Sequence, residues 1–131
     1  MKKIALFSVF ALFVLSSSFL WTNKQEEKGL TLDQYNQKIN NKEKLVLVYF
    51  NADWCVPCIK LKPVVAQIET EEKDKSVLLS LNVDDNPEIA THFEINTLPI
   101  FYLYKNGKIV WQHTGIQTKK ELSDKINQYK Y

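Results

Sequence analysis

Two cysteines, Cys55 and Cys58, stand two residues apart in the run Trp54-Cys55-Val56-Pro57-Cys58, and they are the only cysteines in the 131-residue chain. A pair at this spacing supports disulfide exchange: one thiolate attacks a disulfide, and the second sulfur then displaces the captured product. Which sulfur attacks depends on the elements around it. Leu45 to Phe50 is apolar or aromatic throughout, the pattern of a central strand covered on both faces. Beyond Asn51, Ala52 and Asp53, residues Cys58, Leu61, Val65 and Ile68 recur at helical spacing. Cys55 therefore sits at the mouth of a helix, with Pro57 in the first turn, where a missing N–H costs nothing. The unpaired N–H groups and partial positive charge of a helix start favour thiolate over thiol, which makes Cys55 the candidate nucleophile. Cys58, one turn on and on the apolar stripe, is the candidate resolving sulfur.

Other uses of the two sulfurs are weaker. A structural zinc site needs four ligands, and only His92 and His113 could complete one, without finger-like spacing, so no metal or other cofactor is expected. Both histidines are expected to be structural or solvated. A purely structural bridge across so short a loop would constrain the unfolded chain little. Trp54 suits core packing and a docking surface equally.

The remaining elements follow from capping and turn chemistry. Thr31 and Gln34 fit a capping box opening a helix with Leu32, Tyr35 and Ile39 on one face, ending near Asn40. Pro63 should kink the cysteine helix without stopping it, because apolar spacing resumes at Val64 and Val65. The charged run Glu69 to Lys75 is expected to be a solvated helix end. A second apolar strand covers Val77 to Val83. Asp84, Asp85, Asn86 and Pro87 read as a turn and the start of a short helix through about His92. Ile100 to Tyr104, Asn106-Gly107 and Lys108 to His113 form a hairpin signal, and Thr118 with Glu121 opens a last helix. On residues alone, Pro99 reads as a trans proline at a strand start. The fold class expected is α/β: a central mixed sheet, parallel in its first half and closing in an antiparallel hairpin, with helices on both faces.

Charge separates the chain into two parts. Lys2 and Lys3 precede Ile4 to Leu15, apolar except for Ser8, and Ser16 to Ser18 follow. This reads as a signal peptide or an uncleaved signal anchor over residues 1–21, with a polar tether over 22–30 and a domain over 31–131. From Trp21 onward 15 lysines face 15 acidic residues, and the chain has no arginine. With neither a net positive field nor a guanidinium fork, nucleic-acid recognition is not expected.

The order of elements, the Trp54-Cys55-Val56-Pro57-Cys58 motif, Pro63, Thr97-Leu98-Pro99 ahead of a strand, the Lys105-Asn106-Gly107 hairpin and Gly115 together resemble the thioredoxin family over roughly residues 31–131. The resemblance implies a thiol–disulfide oxidoreductase that works on client proteins with disulfides, and the targeting segment read over residues 1–21 makes it an exported protein of the cell envelope. It implies Cys55 as surface nucleophile, Cys58 as resolving cysteine and Pro99 as a cis-proline facing the pair. Leu98 would offer its backbone to an extended client segment, and Trp54 and Pro57 would join the docking surface. Reduction is the expected direction, fed by a membrane thiol electron donor, because no histidine lies between the cysteines. A disulfide donor or isomerase on the same fold, and a non-enzymatic binding module, are the alternatives. The chain departs from the family at two positions. Members usually carry a buried aspartate six residues before the nucleophile, paired with a lysine on the next strand. Here those positions hold Tyr49 and Ser80, and a buried tyrosine is a poor base at neutral pH.

Overall fold

The computed structural model describes residues 29–131; the targeting segment read over residues 1–21 and all but the last two residues of the tether lie outside them. The elements run α1 (Leu32–Ile39), β1 (Leu45–Asn51), α2 (Val56–Glu71), β2 (Ser76–Asn82), α3 (Pro87–His92), β3 (Ile100–Lys105), β4 (Lys108–Thr114) and α4 (Lys119–Tyr129). The four strands form one sheet in the order β2-β1-β3-β4. β1 pairs parallel with β2 and antiparallel with β3, and β3 pairs antiparallel with β4. The mixed sheet read from the sequence is the one found. β2 begins and ends one residue earlier than expected, and Val83, its expected last residue, still donates to the Asn51 carbonyl at 2.9 Å.

β1 shows why an unbroken apolar run suits its place. Successive side chains of a strand point to opposite faces, and both faces of β1 are covered. Leu45, Leu47 and Tyr49 pack with Leu61, Val65 and Ile68 of α2 and Leu122 and Ile126 of α4. Val46, Val48 and Phe50 pack on the other side with Tyr35 and Ile39 of α1 and Ile89 of α3. Among the described residues, no helix is long and apolar enough to cross a membrane.

Local chemistry accounts for the helix and turn boundaries. Both capping boxes form: Thr31 with Gln34, and Thr118 with Glu121, each satisfying two otherwise unpaired N–H groups. Asn106 and Gly107 take φ of 51° and 77°, the left-handed conformation a two-residue hairpin turn requires. Pro63 lies inside α2 without ending it. The start of α3 departs from the usual device. Its N-cap residue Asn86 makes no capping bond; the side chain accepts from Leu30 N at 2.8 Å and donates to the Asn82 carbonyl at 2.9 Å. Asn86 thus fastens the first described residues to the β2–α3 turn.

The charged run after α2 is not wholly solvated, contrary to expectation. Glu72 is only 6% exposed and bonds Lys75 at 2.8 Å. Burial alone would raise its pKa, but Lys75 and the Ser123 hydroxyl outweigh that and hold the carboxyl below its ordinary range.

Candidate functional site

Cys55 is the N-cap residue of α2, in extended conformation with φ −80° and ψ 104°. An N-cap side chain is placed to accept from the free N–H groups of the first turn, and the Cys55 sulfur accepts from Cys58 N at 3.3 Å. Val56 and Pro57 occupy the first two helical positions, so the proline removes only an N–H that has no helical partner. This brings Cys58 round by one turn, with the two Cα atoms 5.2 Å apart, and the sulfurs are joined in a disulfide. Both cysteines are thus occupied by each other. His92 instead meets Phe93 edge-on, and His113 stacks on Trp111.

Cys55 is less exposed than a surface nucleophile was expected to be, at 5% against 2% for Cys58. In the disulfide each sulfur covers one side of the other. The accessible surface belongs to the flanking residues: Trp54 is 67% exposed, and Val56 and Ile59 are exposed too. Trp54, for which the sequence supported core and surface equally, is at the surface. Its indole Nε1 donates to Asp84 Oδ2 at 2.9 Å, tying the loop before α2 to the turn after β2.

The Leu98–Pro99 peptide bond is cis, as the resemblance implied and the residues alone did not. Pro99 is buried, and its carbonyl accepts from Gly115 N at 2.8 Å. Leu98 is half-buried against the cluster that contains both cysteines.

Beneath the pair, Tyr49 stacks on Phe101 with ring centroids 4.9 Å apart and donates its hydroxyl to the Cys58 carbonyl at 3.3 Å. Burial pushes its pKa up to about 12, so it stays protonated through the neutral range and takes no proton from Cys58. Ser80, opposite Tyr49 in the ladder, accepts from Asn51 Nδ2 at 2.9 Å. The cavity beside Cys58 was not legible in the sequence, because its wall draws residues from β1, the following loop, α2 and β2.

A family model described as thioredoxin matches residues 26–128. A thioredoxin of Chlorobaculum thiosulfatiphilum is 37% identical over 95 residues, covering 72% of this chain and 88% of its own. One of Rickettsia felis is 35% identical over 99 residues, covering 76% and 94%. Among solved structures, a chain from a study of the thiol-resolving mechanism of yeast mitochondrial 1-Cys peroxiredoxin via glutathione/thioredoxin systems matches with a TM-score of 0.66. It is 23% identical and covers 75% of this chain and 90% of its own, a likeness of fold.

Proposed function

The chain belongs to the thioredoxin family, and from that membership we propose that it reduces disulfides of client proteins at the outer face of the cytoplasmic membrane. It is a thiol–disulfide oxidoreductase. The observation that carries the residue roles is the Cys55 sulfur at the start of α2, accepting from Cys58 N with Trp54 and Val56 exposed beside it; the reducing direction is supported by the absence of a histidine between the two cysteines. In the reduced protein the same N–H would stabilise a Cys55 thiolate.

The reaction proceeds by two displacements. The Cys55 thiolate attacks a client disulfide, forming one S–S bond and releasing the first client sulfur as thiolate. Cys58 loses its proton and attacks Cys55 Sγ; the Cys55–Cys58 bond forms, the mixed disulfide breaks and the second client sulfur leaves. Two electrons pass to the client, and a membrane thiol donor returns them. Trp54, Val56, Pro57 and the Leu98–Pro99 loop form the docking surface, where Leu98 offers backbone groups to an extended client segment.

Export is supported by Lys2 and Lys3 ahead of the apolar run to Leu15, and by Ser16 to Ser18 after it. Residues 1–21 act as signal peptide or anchor, and 31–131 as the catalytic domain. Equilibration with glutathione tests the direction: a potential near about −270 mV supports a reductase, and one near about −120 mV a disulfide donor. Cys55→Ser should abolish reduction of insulin, and Cys58→Ser should accumulate covalent client complexes. An active Cys55→Ser protein would refute the assigned roles. N-terminal sequencing of the protein recovered from the cell envelope tests export and cleavage together.

A further inference from the structure

The second displacement needs somewhere for the Cys58 proton to go, and the chain lacks the usual means. Tyr49 and Ser80 stand opposite each other in the ladder between β1 and β2. Tyr49 Oη is committed as a donor to the Cys58 carbonyl, and Ser80 Oγ as an acceptor from Asn51. Burial keeps the Tyr49 phenol protonated at neutral pH. Neither group is a base.

The same place holds a cavity of about 240 Å³ with Cys58 in its wall. Its other polar walls are Tyr49 and Asn51 of β1, Asp53 of the loop, Lys62 and Glu69 of α2, and Ser80 of β2. A cavity admits water when it is polar and roomy enough to offer several hydrogen-bond partners, and this one exceeds the volume of a single water several-fold. The charged groups that line it together with Cys58 are Asp53, Lys62 and Glu69. Two are carboxylates able to accept a proton from water, and the third is a cation that favours negative charge on the sulfur.

We propose that this cavity is the proton exit of Cys58: water inside it takes the Sγ proton as Cys58 attacks Cys55, and Asp53 and Glu69 at its wall pass the proton to bulk solvent. The inference rests on the oxidoreductase reading. The Cys58 S–H bond breaks, its electron pair forms the bond to Cys55 Sγ, and the client sulfur leaves with the electrons of the broken mixed disulfide. The proton ends in bulk water or on the departing client thiolate. A solvent-filled route replaces a fixed buried base.

A chromogenic aryl disulfide mixed with the fully reduced protein separates the two steps, since attack by Cys55 releases one coloured thiol and resolution by Cys58 releases the second. Ser80→Leu and Ala66→Leu each add bulk at the cavity wall, from β2 and from α2. In both variants the first release should keep the wild-type rate while the second slows by about tenfold or more, a fraction of what a positioned proton acceptor contributes. Glu69→Gln combined with Asp53→Asn should slow the second release alone, and by less. If both filled variants keep the wild-type second release, the cavity is not the route. Equal slowing of both releases would also overturn the proposal, because it would locate the effect at Cys55. Absence of a second release in the wild-type protein would instead refute the oxidoreductase reading itself.

Discussion

Tyr35 and Tyr104 meet hydroxyl to hydroxyl at 2.8 Å in the core on the far side of the sheet from α2, and their rings cross edge to face at 6.1 Å. Tyr35 is fully buried and Tyr104 nearly so, and for each hydroxyl the other is its partner. Replacing one tyrosine by phenylalanine keeps the ring and the packing but strands a buried hydroxyl, which costs about 1–3 kcal/mol. Removing both hydroxyls leaves nothing unsatisfied. Tyr35→Phe and Tyr104→Phe should therefore each destabilise by that amount, and the double variant by clearly less than their sum, a coupling of about 1–2 kcal/mol in a double-mutant cycle. Urea unfolding of the four proteins measures it, and in a domain this size each kcal/mol moves the thermal midpoint by about 4–8 °C. Disulfide reduction should be unchanged throughout, since the pair lies on the face away from the cysteines. The pH dependence supplies a second check. Burial, the first cause for both, raises the two phenol pKa values above their ordinary range. A raised folded pKa contributes stability that is complete below the unfolded value, about 10, and is lost as pH rises towards the folded value. Wild type should thus weaken from about pH 10 upward, and the double variant should resist alkali better. Additive single-variant costs, or an alkaline profile that the double variant shares with wild type, would refute this account of the pair.

Two further outcomes follow from other sites. Gly29 sits at φ +93°, and a Cβ there would fall 2.0 Å from the Asp85 carbonyl oxygen. Gly29→Ala should lower stability by about 1 kcal/mol or more in urea unfolding, whereas Gly107→Ala, which meets only ordinary contacts from Asn40, should cost its turn strain alone. The Glu72 carboxyl is held low by Lys75 and Ser123 against the opposing effect of burial, so its contribution is present above the unfolded carboxylate range, about pH 4.3, and is lost as pH falls through the folded value. Glu72→Gln should flatten the acid side of the stability profile, and an unchanged acid limb would count against the pairing.

Much of the fold was legible because its signals are local. Thr31 with Gln34 and Thr118 with Glu121 satisfy N–H groups three residues away, and Asn106-Gly107 sets a turn through its own backbone angles. The unbroken apolar run of β1 announced a strand covered on both sides before either cover was known. The disulfide pair was legible for the same reason, since one helical turn separates its sulfurs. Readings that depend on distant partners fared differently. Glu72 stood in a charged run that looked solvated, and only the folded chain brings Ser123 to it and buries it. Asn86 looked like part of a turn and a helix start, yet its side chain spends both of its groups holding Leu30 and Asn82.

The residues by themselves settled which elements form and where the two sulfurs sit on the helix, because each of these follows from interactions within a few positions along the chain. Only the tertiary structure decided that Trp54 faces solvent on a bond to Asp84, that the Tyr49 hydroxyl is held on the Cys58 carbonyl, and that a cavity opens beside Cys58. Exposure, desolvation and empty space are set by what β2, β3 and α2 bring against one another, and nothing within a single segment carries that information.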